Sequence, residues 1–185
     1  MSGLPRLARD NNKEEIVRLL QNGADVNEQN SDGFSALWYA CKKNYRELAE
    51  ILLKHNNINV NLQEDGNGWG PFHAACTNNS YESTLIMIQD ARVDVNMTDH
   101  SGRSPLMRAG NTKLVQLLLS FGRYIDIYQK STEDYYSGIK SGSTALDMAK
   151  QRNKTDIVQL LEQYQNNPKE TQKTTRNQLN LKGKK

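Results

Sequence analysis

Apolar residues along this chain gather in short clusters that return at a near-constant interval. Large apolar anchors stand at Leu4, Leu37, Phe72, Leu106 and Leu146, and small residues follow closely, among them Ala8, Ala40, Ala75 and Ala109. A second apolar stripe opens at Ile16, Ala49, Thr84, Val115 and Val158, which lie 12, 12, 12, 9 and 12 residues beyond the five anchors. Pairs such as Leu19/Leu20, Leu52/Leu53, Met87/Ile88 and Leu118/Leu119 continue these stripes at helical spacing, so the pattern predicts pairs of short helices with one apolar face on the second helix. Alanines on the first helices let neighbours approach closely. One such pair cannot cover its own stripe, so successive pairs have to stack.

The segments between the pairs repeat as well. GADVNEQNSDG, INVNLQEDGNG and VDVNMTDHSG place Val-Asn at Asn27, Asn61 and Asn96, spaced by 34 and 35 residues, and each runs into a glycine, Gly33, Gly68 or Gly102. A tight turn with positive φ wants glycine there. The stretches that follow read FSALWYAC, WGPFHAAC, RSPLMRAG and, later, STALDMAK. Pro71, His73, Ala74 and Ala75 reproduce much of a PLHxAA core, Ser104, Pro105 and Leu106 stand close to TPL, and Gly23 to Asn27 read GADVN. On these residues the chain resembles the ankyrin-repeat family over about residues 2–164. The resemblance implies a mainly α fold, a solenoid of stacked helix-turn-helix units with short β-hairpin-like loops. Its five units fall at about 1–29, 30–64, 65–98, 99–138 and 139–164, the first and last acting as caps. Glu162 after Leu161 puts a charge where other units have an aliphatic, as expected of a cap whose outer face meets water.

Two departures interrupt the pattern. The fourth unit lacks three residues between Leu106 and Val115, nearly one helical turn, which predicts a shortened first helix. The loop from Asp126 to Gly142 is then about ten residues longer than its counterparts, a cheap insertion because closure entropy grows only logarithmically with length. It carries Tyr128, Tyr135 and Tyr136, aromatic residues that suit contact with a partner, and Ser131 three residues before Asp134, an acidic context for phosphorylation.

The net charge of +3 is unevenly spread: residues 165–185 hold six basic residues against Glu170 alone, which leaves the remainder at −2. The tail is expected to be basic and disordered, and the body is a poor surface for nucleic acid, which needs clustered cations. No apolar run reaches the length of a membrane span, and MSGLPRLARDNN has no apolar signal-peptide core, so the cytoplasm or nucleus is the expected compartment. Cys41 and Cys76 occupy equivalent positions in units two and three and suit packing, not a disulfide or metal site. His55, His73 and His100 assemble with no nucleophile and acid, and the phosphate-loop, HExxH and CxxC patterns are absent. Neither an enzyme nor a cofactor is expected. At the family's PLHxAA position, His73 is expected to make a structural hydrogen bond, although Gly70 replaces the usual threonine partner.

The resemblance therefore implies a monomeric scaffold or adaptor that binds another protein on the concave face formed by hairpin tips and first helices. Carried over by position, the tips supply Ser31, Asp32, Phe34, Asn67, Trp69, His100, Ser101 and Arg103, and the first helices supply Trp38, Tyr39, Lys42, Lys43, Thr77, Asn78, Gln151 and Arg152. Tyr128, Tyr135 and Tyr136 join them from the insertion. Phe34 and Trp69 stand out, because a large aromatic on a polar tip offers contact area at small entropic cost; the alternative is packing within their own hairpins. The alternative is an inhibitory regulatory subunit of a kinase or another signalling enzyme, since kinase-inhibiting members of the family also carry a shortened first helix, in the second unit.

Overall fold

The computed structural model describes residues 3–134 and 138–181. The chain forms two compact units, Met1–Asp94 and Val95–Lys185. Among the described residues the regular structure is helical, apart from an isolated antiparallel bridge between Gln29 and Ser35.

In the first unit, first helices α1 (Leu4–Arg9), α3 (Ala36–Lys42) and α5 (Pro71–Thr77) alternate with second helices α2 (Lys13–Gln21), α4 (Arg46–Leu53) and α6 (Tyr81–Gln89). The local sequence fixes where each begins and ends. Pro5 and Pro71 sit in the opening turns of α1 and α5, where a missing N–H costs nothing, and the Ser35 hydroxyl caps α3 by accepting from the Trp38 N–H. The first helices end in turns at Asn11, Asn44 and Asn79, with φ of 56°, 57° and 54°, a left-handed backbone that asparagine tolerates better than most residues. α3 packs between α1 and α5, and the anchors Leu4, Leu37 and Phe72 with Ala8, Ala40 and Ala75 are buried. Ile16, Leu48, Ala49, Leu52, Thr84, Met87 and Ile88 complete the core from the second helices, whereas Leu19, Leu20 and Leu53 are only half-buried.

The repeated asparagines lock one loop to the next. The Asn27 amide donates to the Asn57 carbonyl at 2.8 Å and accepts from the Asn59 N–H at 2.7 Å, and Asn61 does the same with the Arg92 carbonyl and Asp94 N–H, both at 2.9 Å. In the second unit Asn96 repeats the clamp on the Tyr124 carbonyl and Asp126 N–H, at 2.9 and 2.8 Å. A side-chain amide carries its donor and its acceptor on separate atoms, so it can hold a carbonyl and an N–H at once.

The second unit holds α7 (Pro105–Arg108), α8 (Thr112–Ser120), α9 (Ala145–Gln151), α10 (Thr155–Asn166) and α11 (Pro168–Gln178). α7 has four residues where α3 and α5 have seven. The deletion removes the left-handed asparagine turn as well, and Ala109 follows α7 in an extended conformation, φ −62° and ψ 119°. In the last repeat the apolar stripe opens at buried Ile157 and not at half-buried Val158, and Ala145 with Met148 replaces half-buried Leu146 in the core.

The expected disordered tail is corrected by α11. Asn167 caps its first turn by accepting from the Glu170 N–H at 3.3 Å, Pro168 opens it, and the helix packs on α8 and α10. Thr171, Thr175 and Leu181 are buried, and Arg176 donates to the Ser120 carbonyl at 3.3 Å with its guanidinium 5.8 Å from the Phe121 ring. α11 thus adds a helix against α8 and α10, while Glu162, its side chain 45% exposed, pairs with Lys150 at 3.0 Å.

Candidate functional site

In the first unit the first tip packs on its own first helix through Phe34, Trp38 and Tyr39, and each tip is braced by a single acceptor side chain. Asn30 Oδ1 accepts from the N–H groups of Asp32 and Phe34, at 3.1 and 2.9 Å. In the next tip, which is one residue longer before its glycine, buried Glu64 takes over, accepting from Gly66, Asn67 and Trp69 at 2.6, 2.8 and 3.0 Å. Its extra methylene reaches across the extra residue. Gly33, at φ 79°, lies so close to the second tip that a Cβ there would stand 2.6 Å from the Asp65 backbone nitrogen.

The braced first tip holds an aromatic cluster. Half-buried Phe34 stacks on Trp38 with centroids 4.0 Å apart and meets Tyr39 edge-on at 5.7 Å, while Trp38 and Tyr39 meet at 5.3 Å. The Asn30 amide donates to the Tyr39 hydroxyl at 3.4 Å, and Lys42 Nζ lies 4.8 Å from the Trp38 centroid. Trp38 itself is only 3% exposed, which corrects its expected place on the contact surface: Phe34 and Lys42 cover its ring, so it supports the residues that do face outward. Ser31, Asp32, Lys42, Lys43, Asn67 and Asn78 are exposed, and Tyr39, Trp69 and Thr77 are half-buried. The Asn78 amide is turned back on its own helix, donating to the Ala74 carbonyl at 2.9 Å.

In the second unit the insertion changes the expected surface. Thr132 donates its N–H to the Ser101 carbonyl at 2.8 Å, and the Ser101 hydroxyl bonds Glu133 Oε2 at 2.9 Å. Thr132 packs so tightly on Gly102, φ 69°, that a Cβ there would lie 2.7 Å from its methyl carbon. Arg103, expected as a contact residue, is consequently 3% exposed and donates to the Glu133 carbonyl at 3.4 Å. Asp99 braces this tip through the Ser101 and Arg103 N–H groups and holds Arg108 Nε at 2.9 Å. Ser131, expected as a phosphorylation candidate, is 3% exposed because the base of the loop closes on it, the Ser131 N–H donating to Ser143 and the Gly142 N–H to Ser131. His100 and Arg152 are exposed, and exposed Gln151 donates to the Gly138 carbonyl at 2.7 Å. Tyr128 is 61% exposed, joined by Tyr124 at 74%, a residue that the sequence pattern did not single out. Tyr135 and Tyr136 lie outside the described residues.

The remaining chemistry is quiet. Cys41 and Cys76 are fully buried free thiols, and burial pushes both upward, Cys76 to about 12. His73 is fully buried. Among the described residues no cluster of His, Cys, Asp and Glu could hold a metal ion, and no helix is long and apolar enough to cross a membrane.

The family model for ankyrin repeats (3 copies) matches residues 6–99, half of the chain. The chain is 29% identical over 117 residues to BCL-6 corepressor-like protein 1 of Homo sapiens, covering 62% of this chain and 6% of that protein. It is 27% identical over 150 residues to alpha-latrotoxin-Lg1a of Latrodectus geometricus, covering 77% of this chain and 10% of the toxin. It is also 28% identical over 155 residues to the ankyrin repeat protein YahD of Escherichia coli (strain K12), covering 79% of this chain and 71% of that one. The chain thus spans a tenth or less of the first two relatives and more than two thirds of the third. With matched repeats, asparagine clamps and paired short helices all in register, the chain belongs to the ankyrin-repeat family, whose members are typically non-enzymatic and whose repeats generally mediate protein–protein interaction.

Proposed function

We propose that the chain is a scaffold or adaptor that binds a partner protein through the hairpin tips and first helices of its first unit. The observation that carries this reading is the aromatic cluster at the first tip. Phe34 is stacked on Trp38 and braced from the backbone by Asn30, so its ring is fixed before any partner arrives. A preordered aromatic binds without the entropic cost of ordering it, and aromatics dominate interface energetics. Tyr39, Lys42, Lys43, Asp32, Asn67 and Trp69 extend the surface. His100, Tyr128 and Arg152 of the second unit are secondary candidates. The inhibitory-subunit alternative gains no support here, since the short first helix is α7.

The test is capture of a partner by the full chain with Phe34→Ala plus Tyr39→Ala beside wild type and Tyr124→Ala. The first variant should lose the band that the other two retain. Equal capture by all three would move the binding surface elsewhere.

A further inference from the structure

The two sides of the first unit treat their cations differently. On the second helices Lys13 pairs with Glu47, Arg18 with Glu15, Arg46 with Glu50 and Glu82, and in the loop after α6 Arg92 pairs with Asp90. Lys54, at the end of α4, is the exception. On the first helices Arg6, Lys42 and Lys43 are exposed, and among the described residues no carboxylate comes within ion-pair distance of them. Arg9 has only its exposed neighbour Asp10, at 3.4 Å.

These four cations are placed together by the repeat. Arg9 stands five residues after Leu4 and Lys42 five after Leu37, on helices that pack against each other, and Arg6 is likewise the counterpart of Tyr39. A basic strip therefore runs across α1 and α3 directly beside the aromatic cluster, which Lys42 joins by lying over Trp38. Cations at helix C-termini also offset the helix dipole. α7 and α9 likewise carry a basic residue in their last turn, Arg108 and Lys150, and α5 carries none, so the dipole contributes to the placement of Arg9 and Lys42 without giving their exposed charges a partner. The exposed carboxylates Asp32 and Asp65 stay at the tips.

We infer that the partner of this face is an acidic protein segment, its carboxylates set on Arg6, Arg9, Lys42 and Lys43 and an apolar or aromatic side chain set on Phe34 and Tyr39. This rests on the binding surface proposed above and adds the chemistry of its occupant. Complementary charge fixes the register of such a segment and speeds its encounter, while the tip carboxylates repel a phosphate backbone.

Fluorescence anisotropy on the full chain tests it with labelled synthetic peptides that share a central Phe-Tyr and differ in their flanks: Glu/Asp, Gln/Asn or Lys/Arg. The acidic peptide should bind saturably and more weakly as salt rises. Lys42→Glu with Lys43→Glu should weaken it by about tenfold or more, Lys42→Gln with Lys43→Gln by less, and Lys54→Glu should leave it unchanged. Thermal melts that match wild type show that the variants fold. No binding of the acidic peptide, equal binding of the neutral one, insensitivity to the lysine reversals, or equally tight binding of an oligothymidylate would overturn the inference. If Phe34→Ala plus Tyr39→Ala abolishes partner capture while the lysine variants do not, the surface stands and the acidic occupant falls. If neither affects capture, the surface itself is wrong.

Discussion

Asn61 spends both halves of its amide on the loop of the next repeat, so its removal reports what one clamp contributes. Asn61→Ala leaves the Arg92 carbonyl and Asp94 N–H without this partner, and because the site is half-buried, water can take over part of the loss. A destabilisation of about 1 kcal/mol is expected in urea denaturation, and a value near zero would mean that solvent replaces the clamp fully. The two thiols make a second case. Cys41 and Cys76 are completely buried and held protonated at neutral pH, so neither should react with a thiol reagent until the chain unfolds. Rapid labelling of the folded protein would contradict the packing described above. Legibility at this scale followed sequence distance. Phe34 is conspicuous in the sequence because a large aromatic on a polar tip stands out in its own local context, and it packs on Trp38 and Tyr39 of the same hairpin. The burial of Arg103 could not be read, since the residues that cover it, Thr132 and Glu133, lie about thirty positions further on and fold back over its tip. Glu64 escaped notice too, because its bracing role depends on the one-residue-longer turn that its carboxylate fills.

Helix α9 begins with a complete capping box: Thr144 accepts from the Asp147 N–H at 3.3 Å, and the Asp147 carboxylate accepts from the Thr144 N–H at 2.9 Å and from its hydroxyl. These bonds, the backbone one foremost, hold the Asp147 carboxyl below its ordinary 3.8. A lowered folded value means that the carboxylate stabilises the fold fully above the ordinary value and loses that contribution as pH falls through the depressed one. The α9 amides should therefore keep their protection down to about the ordinary carboxylate range and fray below it, together with the Asp147 titration seen by NMR. Fraying that tracks some other carboxyl would count against the box. α11 poses a different question, because a helix of eleven residues with three threonines does not hold in water by itself. It depends on its contact with α8 and α10, so Leu181→Asp should release it and speed amide exchange over 168–181 while α8 keeps its protection. The start of α11 was written in the sequence as Asn167-Pro168 with Glu170, a cap followed by a first-turn proline. Its Lys, Thr, Asn and Gln composition has no apolar stripe to mark the helix, however. The shortened α7 was legible for the opposite reason, since a missing turn shows directly as a broken interval between apolar anchors.

At the scale of the molecule, the two compact units differ in how their first-helix layers are built. In the unit Met1–Asp94, α3 is flanked by α1 and α5, with Leu37, Ala40 and Cys41 wholly buried between them. In the unit Val95–Lys185 the corresponding layer consists of α9 and the four-residue α7, whose contact with α9 is slight, and Leu146 of α9 remains half-buried. Repeat proteins draw their stability from nearest-neighbour interfaces, so a truncated neighbour lowers protection locally without unfolding the rest. The amides of α9 should therefore exchange faster than those of α3 in the same sample, by about an order of magnitude for each 1.4 kcal/mol by which local opening is easier. Native-state hydrogen exchange followed by mass spectrometry resolves the two helices as separate peptides. Because α10 is packed by α8, α9 and α11, exchange in α10 should lag behind that in α9. Uniform protection across α3 and α9 would show that the deletion in α7 is fully compensated by the insertion packed on the tip at Gly102.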